Sequence, residues 1–240
     1  GFDSHYGQYS GAIDYYTHHS AETDSLDIPD WWLNGVQQDG PSEHTDSQGT
    51  GGWSPNLLAD KAIYHIQNRN PAQPMYLHLA FNSIHGPISA PASLITKYQN
   101  LGVTSTGRRL VCAAVDGMDQ AMGRVLTALD TAGITNNTII VWFGDNGGDE
   151  TKGSLNDPMR GDKGDLETAD EKTRGQQQIA LVSEGLPQRL ANRLIHILLC
   201  CRAARCVAGK RNGEQRDKQH GGGHPDKGLL PADRVDEALR

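Results

Sequence analysis

Apolar residues recur along this chain with two alternating periods. Residues 1–53 are loop-rich: aromatic, acidic and glycine residues interrupt any regular pattern. Leu58, Ala62, Ile63 and Ile66 then recur at three- and four-residue spacing, which predicts an amphipathic helix. Ser54-Pro55 predicts its start, as an N-cap followed by proline at the first helical position, and Pro71 its end. Residues 75–81 form a short apolar run that predicts a strand leading into Asn82-Ser83-Ile84-His85-Gly86-Pro87. Residues 108–132 predict the longest helix, with Leu110, Ala114, Met118, Ala121, Val125 and Leu129 on one stripe and Gly133 closing it. Asn136-Asn137 turns the chain into residues 139–143, too short for a helix and rich in β-branched and aromatic residues, hence a buried strand. After Leu166 the pattern decays: residues 167–178 are polar without a period, 179–199 recover some apolar character, and the rest loses it again. Helix, strand, helix and strand at these separations predict an α/β fold with βαβ crossovers and a mostly parallel sheet. The expected organisation is a partial α/β domain over 1–166, a degraded continuation over 167–199, and a disordered basic tail over 200–240.

Composition adds a polar cast. The 240 residues include 28 Gly and 11 Pro but three Phe and four Trp, and mean hydropathy is −0.57. Long loops or a disordered part follow from that balance. The net charge of −7 argues against a general nucleic-acid binder. Residues 200–240 carry nine Lys/Arg and six Asp/Glu, a net of +3, so the first 199 carry −10 and the tail is a different kind of sequence. No run of about 18 apolar residues is present, so no membrane span is expected. The chain opens Gly-Phe-Asp-Ser-His-Tyr, with neither an initiator Met nor a signal peptide, and reads as the interior of a longer one. Cys112 is expected to be a small core residue. Cys200, Cys201 and Cys206, with His220 and His224, have no common zinc-finger spacing and are expected to be thiols that are buried or unstructured.

Candidate chemistry starts at Asp145-Asn146, where the predicted strand stops. A carboxylate and a carboxamide are costly to bury unpaired. Both offer the oxygen donors that Ca²⁺ and Mg²⁺ prefer, and the carboxyl ends of strands in open α/β sheets are where ligands gather. The alternative is an Asx-type turn with Gly147 and Gly148 at positive φ. His85, before Gly-Pro, is a turn residue or a catalyst, and Lys163, in a glycine-marked loop, a solvated cation or an anion contact. Together these residues offer hard ligands for a divalent cation and two groups suited to an anionic sulfate or phosphate ester.

With these residues in order, the chain resembles the sulfatase family, in particular its arylsulfatase B-like branch. Gly1-Phe2-Asp3 with Asp14-Tyr15-Tyr16-Thr17-His18 is similar to a G-F-D…D-Y-Y-x-H stretch, and Leu77 to Pro91 to L-x-L-A-x-x-x-x-H-x-P-x-x-x-P. Met118-Asp119…Gly123 resembles M-D-x-x-x-G, Asp145 to Gly148 the D-N-G-G, and Pro158 to Lys163 the P-L-R-G-x-K. The resemblance implies an alkaline-phosphatase-like fold with helices on both faces of the sheet. It implies Asp145 and Asn146 as two ligands of one Ca²⁺, His85 in contact with the sulfate or its bridging oxygen, and Lys163 binding a sulfate oxygen and stabilising the leaving group. The substrate it implies is a sulfated small molecule or sulfated sugar, and the route secretory, lysosomal or extracellular. Asn136-Asn137-Thr138, an N-glycosylation sequon, agrees with that route.

The chain also departs from the family. D-D-x-G, the C/S-x-P-x-R whose Cys or Ser becomes formylglycine, and G-K-x-x-H do not occur; the nearest nucleophile string is Gly185-Leu186-Pro187-Gln188-Arg189, with glycine at the reactive position. Without formylglycine the covalent route is closed, so these residues are expected to be a fragment that is inactive alone. Residues 192–197 resemble x-E-L-I-H-I, but family pattern is lost over 167–178 and 198–240, which are expected to be out-of-frame or aberrant sequence. Two other readings stay open: a phosphoryl or phosphonate ester hydrolase of the same superfamily, and a non-catalytic anion-binding module.

Overall fold

The computed structural model describes residues 1–22, 27–38, 45–156 and 163, together with the backbone of 180–182 and 195–200. All of these fall in a compact unit of residues 1–208. Of the tail expected over 200–240, residues 201–240 lie outside the described residues, as does the polar stretch 167–178, while Cys200 ends a strand rather than opening a tail.

The loop-rich start holds a small antiparallel sheet that the sequence pattern did not predict: β1 (Tyr6–Gly7), β2 (Trp32–Leu33) and β3 (Val36–Gln37). Two-residue strands are too short to show a period. The signal that marks them is Asn34-Gly35, which joins β2 to β3 with both residues at positive φ, 53° and 82°. Two such residues are what a tight hairpin turn of matching twist requires.

The main elements follow the predicted alternation. Helix α1 (Ser54–Gln67) leads to β4 (Tyr76–Ala80), and α3 (Thr106–Thr131) leads through a short 3-10 turn to β5 (Thr138–Phe143). Between them lies α2 (Ala92–Asn100), which was not predicted. None of its residues is fully buried; Leu94, Ile95 and Tyr98 cover a second apolar cluster around Trp53, Tyr15 and Val111. Three large apolar residues in nine are too few to betray a helix. Ser54 differs from its expected role. It is the first helical residue rather than the cap, and its hydroxyl turns away to donate to Asn82 Oδ1 at 3.1 Å. Ser105 caps α3, accepting the Arg108 N–H.

Strands β4 and β5 share a four-stranded sheet with β6 (Ala180–Val182) and β7 (Ile195–Cys200), in the order β4-β7-β5-β6. β7 runs parallel to both β4 and β5, and β6 is antiparallel to β5. Residues 198–200, where family pattern fades in the sequence, are thus half of the strand between β4 and β5. The core lies between this sheet and the two long helices: Ala62 and Ile66 of α1, Met118, Val125 and Leu129 of α3, Leu79 of β4 and Ile140 of β5. Side chains alternate along β4, so Leu77 and Leu79 face the helices while Tyr76, His78 and Ala80 are exposed. Among the described residues, no helix is long and apolar enough to cross a membrane.

Cys112 is buried in α3 as expected, but it is disulfide-bonded rather than a free core thiol. Spacing alone could not show the bond, because pairing depends on which segments meet in space.

Leu129→Ala removes a fully buried side chain shared by both layers and is expected to cost about 2–5 kcal/mol, read from chemical denaturation. A second prediction concerns Asp46, a buried carboxylate that accepts from Gln48 N, Thr50 N, Thr50 Oγ1 and Gly52 N. Burial acts to raise its pKa, but the bonds from Thr50, Gly52 and Gln48 outweigh it and hold the carboxyl below its usual value. A lowered folded-state pKa stabilises above the unfolded value of about 3.9, and that share is lost as pH falls through the lower folded value. The thermal midpoint should therefore drop below about pH 4, and Asp46→Asn should shallow that drop while lowering the midpoint at pH 7.

Candidate functional site

Parallel strands end on the same side of a sheet, so β4 and β5 deliver their following loops to one edge. With β7 between them, the two strand ends stand roughly 10 Å apart. A cleft of about 440 Å³ runs from there along β4, with Leu77 to Ala80 in its wall. His85, from the loop after β4, and Asp145, two residues past β5, both line it. Asn82 and Phe81 from the same loop, Lys61 and His65 from α1, and residues of the N-terminal segment complete its walls.

The turn that carries His85 is tied at several points. The His85 N–H donates to Asn82 O at 2.8 Å. The hydroxyl of Tyr15, a residue 1% exposed, lies 2.9 Å from both Asn82 O and His85 O and shares its proton between them. The imidazole Nδ1 lies 2.7 Å from the Gly86 carbonyl. A carbonyl can only accept, so Nδ1 carries a proton and Nε2 is the nitrogen left for a ligand. Tyr15 belongs to the D-Y-Y-x-H stretch, and that stretch proves to be scaffolding. Asp14 accepts the N–H groups of Tyr16 and Thr17, and His18 is buried against Trp31 with Nε2 2.8 Å from Gly52 O. The sequence showed the motif; only the distances show that it holds the His85 turn.

The Asp145-Asn146-Gly147-Gly148 segment is not the positive-φ turn offered as the alternative reading, since neither glycine has a positive φ. Gly148 is required for space instead: a Cβ there would stand 2.6 Å from Ser154 Cβ. Asn146 is half-buried, does not line the cleft, and donates from Nδ2 to Gly147 O at 2.8 Å, which leaves its carboxamide oxygen as the available donor. Asp145 as a residue is exposed, yet its carboxyl is sheltered enough for burial to raise its pKa. Backbone N–H bonds from Asn146 and from Asp145 itself, and the charge of Lys163, pull the other way without cancelling that rise. Lys163 is exposed, and its charge is felt at Asp145. His85 and Asp145 thus line one cleft, and Lys163 stands near enough for its charge to act on the Asp145 carboxyl. Residues 157–162, which carry the rest of the P-M-R-G-D-K string, lie outside the described residues. Among the described residues no three His, Cys, Asp or Glu side chains converge on a possible metal position. Asp145 and Asn146 fit a hard cation as oxygen donors but form part of a ligand shell, not a whole one.

Nothing in the sequence pattern marks Tyr15 or Asn82 as parts of this site. A buried tyrosine near an aromatic cluster has many uses, and nothing in its spacing tells that its hydroxyl meets residues nearly 70 positions later.

The mostly parallel α/β sheet covered by helices is the alkaline-phosphatase-like architecture. The crystal structure of Ps i-CgsB in complex with k-i-k-neocarrahexaose has the same fold, with a TM-score of 0.60 at 21% identity over 83% of this chain and 43% of that one. The family model described as Sulfatase matches residues 1–182, and the chain belongs to the sulfatase family. It is 30% identical to mouse Arylsulfatase J over 164 residues, 68% of this chain and 26% of that protein. To mouse N-acetylgalactosamine-6-sulfatase it is 32% identical over 92 residues, 38% of this chain and 16% of that protein. The chain thus spans about a quarter or less of the length of these curated relatives.

Tyr15→Phe removes the hydroxyl that ties the His85 turn and is expected to cost about 1–2 kcal/mol. Amide exchange over residues 82–86 should accelerate, while exchange across α3 stays slow.

Proposed function

We propose that this chain carries the cation and leaving-group side of a sulfuric ester hydrolase site. The observation that supports it most is the placement of His85 and Asp145 on one cleft, with the Lys163 charge reaching Asp145. Asp145 and Asn146 are the residues that would hold Ca²⁺ through side-chain oxygens. A bound Ca²⁺ offsets negative charge on sulfate oxygens. His85, with Nδ1 committed to Gly86, presents Nε2 to the sulfate or its bridging oxygen. The Lys163 ammonium stabilises charge on the departing oxygen.

No C/S-x-P-x-R string is among the 240 residues, so the formylglycine nucleophile of the family mechanism is not supplied by this chain. Hydrolysis by these residues alone is therefore not expected. The substrate class in this reading is a sulfated sugar or small sulfate ester, supported by the name of the N-acetylgalactosamine-6-sulfatase relative. A secretory, lysosomal or extracellular route belongs to the same reading, and the sequon residue Asn136 is exposed in its turn as a glycan acceptor must be.

Calorimetric titration of the purified chain with Ca²⁺ tests the assignment. Two ligands make a weak site, so a dissociation constant of about 1 mM is expected for the wild type, with no binding by Asp145→Ala. Equal binding by both would remove Asp145 from the site. The same preparation should not hydrolyse an aryl sulfate; turnover would overturn the reading of the chain as catalytically incomplete.

A further inference from the structure

The segment that carries Asp145 and Asn146 is held from behind by a side chain eight residues past Gly148. Asn156 Oδ1 accepts the Gly148 N–H at 2.8 Å, and Asn156 Nδ2 donates to the Gly148 carbonyl at 2.9 Å. One carboxamide thus satisfies both backbone groups of a single residue, as a paired residue on a neighbouring antiparallel strand would. Nδ2 also reaches Glu150 Oε1 at 3.2 Å. That third contact fixes which way the amide faces, because a reversed amide would set its oxygen against a carbonyl and a carboxylate.

The clamp has a firm base. Asn156 follows a short turn whose first residue, Asp149, accepts the Thr151 N–H at 3.0 Å and whose backbone carbonyl accepts the Ser154 N–H at 3.2 Å. Arg108, in the first turn of α3, donates to the Gly153 carbonyl at 3.3 Å. A Cβ at Gly153 would stand 2.4 Å from the Arg108 nitrogen, so the loop lies directly on the helix backbone. Gly148 in turn packs on Ser154, with no room for a side chain. The path from α3 to the Asp145 carboxylate therefore passes through packed backbone and closes with the Asn156 amide.

We propose that Asn156 is a positioning residue for the cation site: by clamping Gly148 it fixes the directions of the Asp145 and Asn146 oxygens three and two residues earlier. The proposal rests on the cation reading of Asp145 and Asn146 given above. A side chain that orients metal ligands without touching the metal commonly changes affinity by about 10- to 100-fold when removed.

The test uses the 240-residue chain and Tb³⁺ as the probe, an oxygen-seeking ion whose luminescence is sensitised by a nearby indole such as Trp142. Amide exchange at Gly148, resolved by NMR, is a second readout that needs no metal. Asn156→Ala is expected to weaken Tb³⁺ binding about tenfold or more, to expose the Gly148 amide to exchange, and to leave exchange across α3 unchanged. Asn156→Asp keeps the acceptor for the Gly148 N–H, so it is expected to restore protection of that amide. Asp145→Ala should abolish the Tb³⁺ signal. If Asn156→Ala binds Tb³⁺ as the wild type does while Asp145→Ala fails, the positioning role is wrong and the cation reading stands. Unchanged Gly148 exchange in Asn156→Ala also overturns the clamp. A wild type without any Tb³⁺ signal overturns the cation reading, and the positioning role falls with it.

Discussion

The site depends on one constraint: β4 and β5 run parallel on either side of β7, and so end at the same edge of the sheet. An antiparallel arrangement would send His85 and Asp145 to opposite ends of five- and six-residue strands, some 15–20 Å apart. The crossover that keeps them parallel is α3, whose apolar stripe packs against α1 and both strands at once. Burial of that stripe is what makes the long connection favourable, since each apolar side chain removed from water contributes roughly 1.5–3 kcal/mol against the entropy of ordering the chain.

Around that frame, the loops that carry the candidate residues are tied down by side chains from other segments. Tyr15 reaches across to the His85 turn, Ser54 to Asn82, and Asn156 back to Gly148. Each removes a hydrogen-bonding need that would otherwise be met by water or by a change of loop shape. The loops can then hold a histidine and a carboxylate in place although neither lies in a helix or strand.

Three carboxylates differ in how burial and hydrogen bonds balance. At Asp46 and Asp30 burial acts to raise the pKa, and several hydrogen bonds reverse it: Thr50, Gly52 and Gln48 at the first, Ser10, Tyr9 and Trp32 at the second. Both end below the ordinary value, as anions whose partners are complete. At Asp145 burial prevails over two backbone bonds and the Lys163 charge, and the carboxyl stays above it.

The fold class, α1, α3, β4 and β5 were legible in the sequence because helical and strand periods are local properties of the apolar residues. The family was legible because its short strings keep their order along the chain, and His85, Asp145, Asn146 and Lys163 stand inside those strings. The hairpin of β2 and β3 was marked by Asn34-Gly35, while α2 left too faint a pattern in nine residues. Other features had no sequence signal. That D-Y-Y-x-H is scaffolding, that Gly148 is glycine for space rather than for its φ, that Cys112 is in a disulfide, and that Asn156 closes on the D-N-G-G segment all depend on which segments meet. Periodicity records how each segment buries its own apolar face; distances between segments are set by packing, and only the tertiary structure contains them.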